Sequence, residues 1–333
     1  MGWTIGNFYL TLEQMQGNAL EAYKYFSERG WSLNAISGMV GNMQSESNIN
    51  PGIWQSLDYG NYSMGYGLVQ WTPATNYTNW AAANGYDITD PTGQMQWINE
   101  VTTQVGQWIP TSGYPLSFDS FKGSEESPEY LASAFLKNFE RAGVEVEKER
   151  RAQARYWYDF LGKYAAGSQI VENAVTWAIG IARDDSHGYD QTHRDGPDYD
   201  CASLVCWAFY NAGLNTRPGY TPATFTMYEV FTACGFQDVT REVNLATGEG
   251  VQRGDVLLNI NSHTALAIGN GQVVQASINE LGGVSGGQTG DQTGGEINIS
   301  NYYNGPWDCV LRYPGGGITP EPEKLYIVRF IPG

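Results

Sequence analysis

The sequence predicts two domains in series: a mainly α domain over residues 1–163, then an α+β domain with an antiparallel sheet over residues 168–314. Three observations predict it. The 333 residues exceed the roughly 100–200 that one domain ordinarily holds. Helical periodicity dominates as far as Lys163, whereas short strand-like runs follow one another from Asp255 onward. In the second half helices precede strands, the order of an α+β domain. Hydrophobic residues at 41% and charged residues at 16% suffice to fill two cores and exclude a disordered chain.

Apolar spacing predicts helices over residues 11–29, 33–44 and 128–161. The charged stretch 140–155 reads as a solvated helix face. Between Asn50 and Tyr77 the pattern breaks into Gly, Tyr, Trp and Asn, as in a small hairpin or irregular lobe. Residues 162–168 (GKYAAGS) read as a short linker, placed at 164–167. A helix over 170–182, a polar loop over 183–199 and a helix over 201–212 follow. Strands are expected at 255–260, 264–268, 273–277 and 309–313. The Gly/Gln/Thr-rich stretch 282–295 reads as a mobile loop. Residues 315–333 read as a second linker and a tail.

The formal net charge is −17, and both halves are acidic, with 10 basic against 17 acidic residues in 1–163 and 8 against 18 in 164–333. This excludes the electrostatic footprint of a nucleic-acid binder and a polybasic membrane-surface segment. No apolar run approaches the roughly 20 residues of a membrane-spanning helix. The first ten residues lack the basic and apolar regions of a signal peptide, so outside a cell something else would deliver the protein. The four cysteines form no CxxC pair, and the three histidines form no HExxH or HxH. No metal and no other cofactor is expected. The 22 Tyr and 11 Trp suit sites that stack on glycans and suit ordinary cores equally.

Leu33, Ile36, Val40 and Met43 step by three and four along one helix face, and Glu46 extends that stripe. A carboxyl aimed inward at a helix C-terminus is expected to keep its proton, as a general acid for a glycosidic oxygen must. Capping by Ser45 or Asn48 is the structural alternative. GNMQSESNINP together with GYGLVQWT at residues 65–72 resembles the phage tail lysozyme family, of lysozyme-like fold, over residues 11–162. FERAG and RRAQARYW extend the likeness. The resemblance implies that Glu46 is the catalytic acid and that Gln70 and Trp71 shape a sugar subsite. A second carboxylate, where one is used, is Asp58 in the cleft lobe or the more distant Glu140. A single Glu that forms an anhydro-sugar stays open.

Cys201 stands at the first turn of its predicted helix, after Asp200, Asp198 and Pro197. That position is expected to lower its pKa and favour the thiolate. Cys206, Cys234 and Cys309 read as packing residues. His263 opens the strand HTALAIG, whose small Ala265 and Ala267 on the same face leave room for a docked helix. A plain two-residue Asn-Gly turn would set Val274 and Ala276 beside His263, whereas one extra loop residue would set Gln275 and Ser277 there. A nucleophile–base pair needs a polar orienter, so the bulged register and Gln275 are expected. YDCASLV, GDVLLNI, SHTALAIGNG and QAS resemble the NlpC-type cell-wall cysteine peptidases, a papain-like superfamily. DDSHGYDQTHRDGPDYDC resembles its bacteriophage amidase branch. The likeness covers residues 168–314. It implies Cys201 as nucleophile, His263 as base and Gln275 as third residue, with Tyr199 and Asp200 lining the cleft. Ala202 stands where that family usually has Ser. His187 and His193 read as loop residues or, for His187, a substrate contact. Asp184, Asp185 and Asp190 match no standard calcium loop.

Together these resemblances imply a bifunctional peptidoglycan hydrolase, tail-borne or released at host lysis. Peptidoglycan is its expected partner and phage tail proteins are further ones, with neither nucleic acid nor membrane among them. A tail structural or wall-binding protein with degenerate domains, and a conjugation-system wall hydrolase, are the alternatives.

Overall fold

The computed structural model describes residues 2–141 and 146–313. They fall into two compact units that divide between Gly162 and Lys163. The first unit holds α1 (Leu12–Ser27), α2 (Leu33–Ser47), α3 (Thr75–Ala83), α4 (Pro91–Gln96), α5 (Thr102–Gln104), α6 (Phe118–Lys122) and α7 (Pro128–Phe135). The start of α8 (Glu147–Ala182) completes it.

Local chemistry sets the helix ends. Thr11 and Gln14 form a capping box on α1, and Ser32 caps α2 through the Ala35 N–H. α2 stops at Asn48 in the left-handed conformation, where the Asn48 and Ile49 N–H groups close on Gln44 and Met43 carbonyls. The helix differs from the expected one-sided stripe, because residues 35–44 are buried all round. Two glycines make that packing possible. A Cβ at Gly38 would meet the Ala132 nitrogen at 2.9 Å, and one at Gly41 the Ala154 nitrogen at 2.7 Å. α7 and α8 therefore lie against bare α2 backbone.

The single helix expected over 128–161 is interrupted. After α7 come a wider turn, Leu136–Glu140, and Arg141 in the left-handed region. Residues 142–145 lie outside the described residues. Of the stretch 140–155 expected as a solvated face, Lys148, Arg151 and Arg155 are exposed, whereas Arg150 and Gln153 are buried. Residues 50–77 form the irregular lobe, with single bridges pairing Trp54 with Tyr66 and Tyr66 with Trp71. The linker expected at 164–167 lies inside α8. Its tyrosine and alanines suit a helix, and the flanking Gly162 and Gly167 cost only about 1 kcal/mol each relative to Ala.

The second unit adds α9 (Cys201–Asn211) and α10 (Thr224–Ala233) and six strands: β1 (Gln237–Asp238), β2 (Val256–Asn259), β3 (His263–Gly269), β4 (Gln272–Ala276), β5 (Ile297–Asn301) and β6 (Cys309–Arg312). They make one antiparallel sheet in the order β1-β6-β2-β3-β4-β5. α10, β1 and β5 were not expected, β5 because its INISN offers only two apolar positions. Leu258, Leu266, Val274 and Leu311 on one sheet face pack with Leu204, Val205 and Ala208 of α9. Leu257, Ala265, Val273 and Val310 on the other face cluster with Trp307. The helix thus docks on the Leu266 face, not on the Ala265 face expected for it.

The loop expected to be mobile, 282–295, is pinned. The Asp198 carboxylate accepts from the Gly188 and Gly290 N–H groups, and Asp291 accepts from Thr293, Gly295, Glu296 and Ile297. A Cβ on Gly188 would stand 2.0 Å from the Gly290 carbonyl oxygen, so only glycine permits this crossing. Residues 315–333 lie outside the described residues.

Candidate functional sites

In the first unit, Glu46 sits in the last turn of α2 with its side chain 18% exposed. Neither expected cap holds it: Ser45 donates to Gln153, and the Asn48 amide turns to Met15. Instead Arg150 Nη2 donates to Glu46 Oε1 at 2.6 Å, while Arg150 Nη1 donates to Asn42 Oδ1 at 3.0 Å. Asn42 is itself anchored on the Gly38 and Ala132 carbonyls. The sequence reading left out this buried cation. The carboxyl whose pKa rises is Glu140. Burial, and then the Glu46 carboxylate, push its pKa well above the usual glutamate value, against the pull of Arg150 and Arg141. Its Oε1 is sealed from solvent without a hydrogen-bond partner.

The cleft residues expected around Glu46 fare differently. Asp58 is an exposed turn residue that accepts from Asn61 Nδ2 at 2.8 Å. Gln70, with positive φ, donates to the Gly67 and Ile53 carbonyls and so braces its own loop. Trp71 is 4% exposed, stacked on Tyr77 at 4.6 Å and edge-on to Trp97, which makes it a core residue rather than an open sugar platform. Tyr59 and Tyr62, both exposed and packed on Trp54, are the aromatic faces this lobe presents to solvent. The expectation passed over them because aromatic content alone does not separate platform from core.

In the second unit, Asp200 caps α9 through the Ser203 N–H at 2.7 Å in a capping box, and its other oxygen pairs with Arg194 at 3.0 Å. Cys201 follows at the first helical position and is 6% exposed. The backbone N–H groups of Thr264, on β3, and of Ala202 act to lower its pKa. The expected low pKa is reversed. Burial, and then the Asp200 carboxylate, push the thiol up to about 11, outweighing those donors and Arg194. Cys206 and Cys309 are buried as expected, whereas Cys234 is partly exposed.

His263 Nε2 and Gln275 Oε1 stand 2.8 Å apart. The register behind this pair arises in an unforeseen way. The turn is the short one, Asn270-Gly271, both residues at positive φ, with Gly269 opposite Gln272. A bulge between Ala267 and Gly269 then shifts the ladder, so Leu266 pairs with Val274 and Gln275 falls on the His263 face. Gln275 is oriented in turn: Tyr303 Oη donates to its Oε1 at 2.7 Å, and its Nε2 reaches Ser300 Oγ at 3.4 Å. With Oε1 the acceptor, Nε2 carries the imidazole proton and Nδ1 is the basic nitrogen. Trp307 stacks over the ring at 6.0 Å. Among the described residues no hydrogen bond joins Cys201 to His263 in this resting arrangement. Ser300, Tyr303 and Trp307 were missed because the first lies in, and the others follow, a strand that the sequence pattern left out.

Tyr199 and Asp200, expected to line the cleft, are both buried. Tyr199 packs edge-on against Trp177, and Asp200 serves the helix cap. His187 Nδ1 lies 2.6 Å from the Pro197 carbonyl, and His193 pairs with Asp190 at 3.0 Å, so both brace the loop before α9. Asp184 accepts from Ser186 within the same loop.

Two domain families account for these two sites. The chain carries a phage tail lysozyme domain at its N-terminus, matched over residues 17–161, and an endolysin-like domain at its C-terminus, matched over residues 195–274 and 273–319. Over 167 residues it is 45% identical to "Morphogenesis protein 1" of Bacillus phage B103. That match covers 50% of this chain and 45% of the relative.

Proposed function

We propose that the chain is a bifunctional peptidoglycan hydrolase, with Glu46 cleaving glycan strands and Cys201, His263 and Gln275 cleaving an amide of the peptide stems. The observation that carries the second activity is the His263–Gln275 pair at 2.8 Å, in the unit where Cys201 heads α9. His263 Nδ1 takes the thiol proton, and the sulfur adds to the amide carbon. The C–N bond then breaks, and the leaving amine receives that proton. Water hydrolyses the thioester and regenerates the thiol. A thiol held near 11 depends on this base, because little thiolate exists at neutral pH without it. In the first unit Glu46 delivers a proton to the glycosidic oxygen as the bond to the sugar carbon breaks. The aromatic faces of Tyr59 and Tyr62 suit stacking on sugar rings.

The relative's name, a morphogenesis protein, favours a virion-borne enzyme over one released at lysis, with phage tail proteins as its neighbours. Mass analysis of digested cell wall tests the reading. The wild type releases both glycan-cleaved and amide-cleaved fragments, Glu46→Gln only the latter, and Cys201→Ser only the former. A wild type that yields one kind of fragment alone ends the bifunctional reading.

A further inference from the structure

Asp200 plays two parts at the head of α9 that work against each other. Its Oδ1 caps the helix, accepting from the Ser203 N–H at 2.7 Å. The same buried carboxylate stands one residue before Cys201, so its charge opposes a thiolate there. Its Oδ2 lies 3.0 Å from Arg194 Nε, with the Arg194 side chain 19% exposed and that of Asp200 8%. The contact is ionic rather than directional, since the Nε–H has no hydrogen-bond acceptor. Arg194 Nη2 donates instead to the Pro222 carbonyl at 2.7 Å, which fixes the guanidinium between the cap and the segment ahead of α10. A pair so little exposed is weakly screened. Burial raises the Asp200 carboxyl, and Arg194 is the largest pull against that rise. The other titratable groups around the thiol are Cys206 on α9, Tyr189 in the preceding loop, Tyr303 after β5 and, one residue before Thr264 on β3, His263.

We propose that Arg194 is a positioning residue for Cys201: its guanidinium offsets the charge of the cap carboxylate at the sulfur, which lets one aspartate cap α9 while the neighbouring thiol still gives up its proton to a base. The fold keeps a strong acidic cap and balances its charge from the loop before the helix. The consequence for amide cleavage rests on the reading of Cys201 as the nucleophile, whereas the charge balance itself does not.

The test is the rate at which iodoacetamide alkylates each cysteine of the folded full chain, followed by mass spectrometry across neutral and alkaline pH. The thiolate displaces iodide, so the rate reports ionisation. At a given pH below the thiol's value of about 11, Arg194→Gln lowers the Cys201 rate about three- to tenfold. Arg194→Lys keeps the charge and stays within about twofold of the wild type. Asp200→Asn keeps a good cap and removes the carboxylate charge, so its Cys201 rate rises by a similar factor and levels off at lower pH. Cys234, partly exposed and raised by burial alone, keeps its rate throughout and is the internal control. A mere anchor on Pro222 gives Asp200→Asn no reason to label faster. An Asp200→Asn rate at or below the wild type therefore overturns the proposal, as does a wild-type rate in Arg194→Gln. The first of these decides the matter should Arg194→Gln fail to fold. Amide release from purified peptidoglycan is read on the same variants. Labelling in the expected order with unchanged amide release supports the charge balance and removes Cys201 as the nucleophile instead.

Discussion

The two sites are assembled by opposite means. In the second unit the His263–Gln275 pair is a local construction, one hairpin with the two residues only 12 apart, although Cys201 comes from α9. The Glu46 site is a long-range one, because Arg150 reaches its carboxylate from 104 residues away. The difference teaches where chemistry can be inferred from a chain. Strand alternation leaves a hairpin two registers, and the need for a polar orienter is enough to choose between them. Nothing in a helix's own periodicity announces the cation that a distant helix lays against it.

The largest effects expected test the local site. Cys201→Ser and His263→Ala each lower amide cleavage by on the order of 10⁴ or more, and the double variant falls no further, since nucleophile and base act as a unit. Additive losses, measured as amine release from cell wall, would break the pairing of α9 with β3. Next comes the long-range site. Glu46→Gln lowers glycan cleavage roughly 10²–10⁴-fold and leaves amine release unchanged, and parallel loss of both activities would mean a folding defect instead.

Gln275→Ala sharpens the comparison. Losing a hydrogen bond to a group that becomes charged costs about 1.5–3 kcal/mol, or roughly ten- to hundredfold in amide cleavage. An effect as large as that of His263→Ala would make Gln275 more than an orienter. The smallest change is one of stability. Gly41→Ala forces a Cβ to within 2.7 Å of the Ala154 nitrogen and lowers stability by about 1–3 kcal/mol, read as earlier melting. A neutral result would mean that α8 is free to move off α2.

Much of the second unit was legible before the fold was known. Its N-cap, the place of Cys201 at the head of α9 and four of its strands follow from capping and alternation, and the Gln275 register from the need for a polar orienter. The route to that register was not legible, because a bulge at Ile268 obeys the fit of the sheet rather than any residue signal. In the first unit α1 and α2 were legible, and the interruption after Phe135 was not. Arg141 takes the left-handed region as its N–H closes on the Leu136 carbonyl, and its residue type gives no warning of it. Trp71 and Tyr199 illustrate the same limit: an aromatic beside a site residue looks alike whether it faces a ligand or the core.

What the sequence determined by itself were the local choices: where helices start and stop, which thiol heads a helix, and which histidine opens a strand. Each depends on interactions within a few residues, whose energies the chain carries wherever it folds. Only the tertiary structure decided the protonation chemistry. It buried Cys201 beside Asp200 and so pushed the thiol up when a helix N-terminus alone would have brought it down. It set the buried Arg150 against Glu46, and it buried Glu140 and so pushed that carboxyl up. The physical reason is that desolvation and charge–charge energies depend on what surrounds a group in space, and those neighbours are fixed only when distant segments pack.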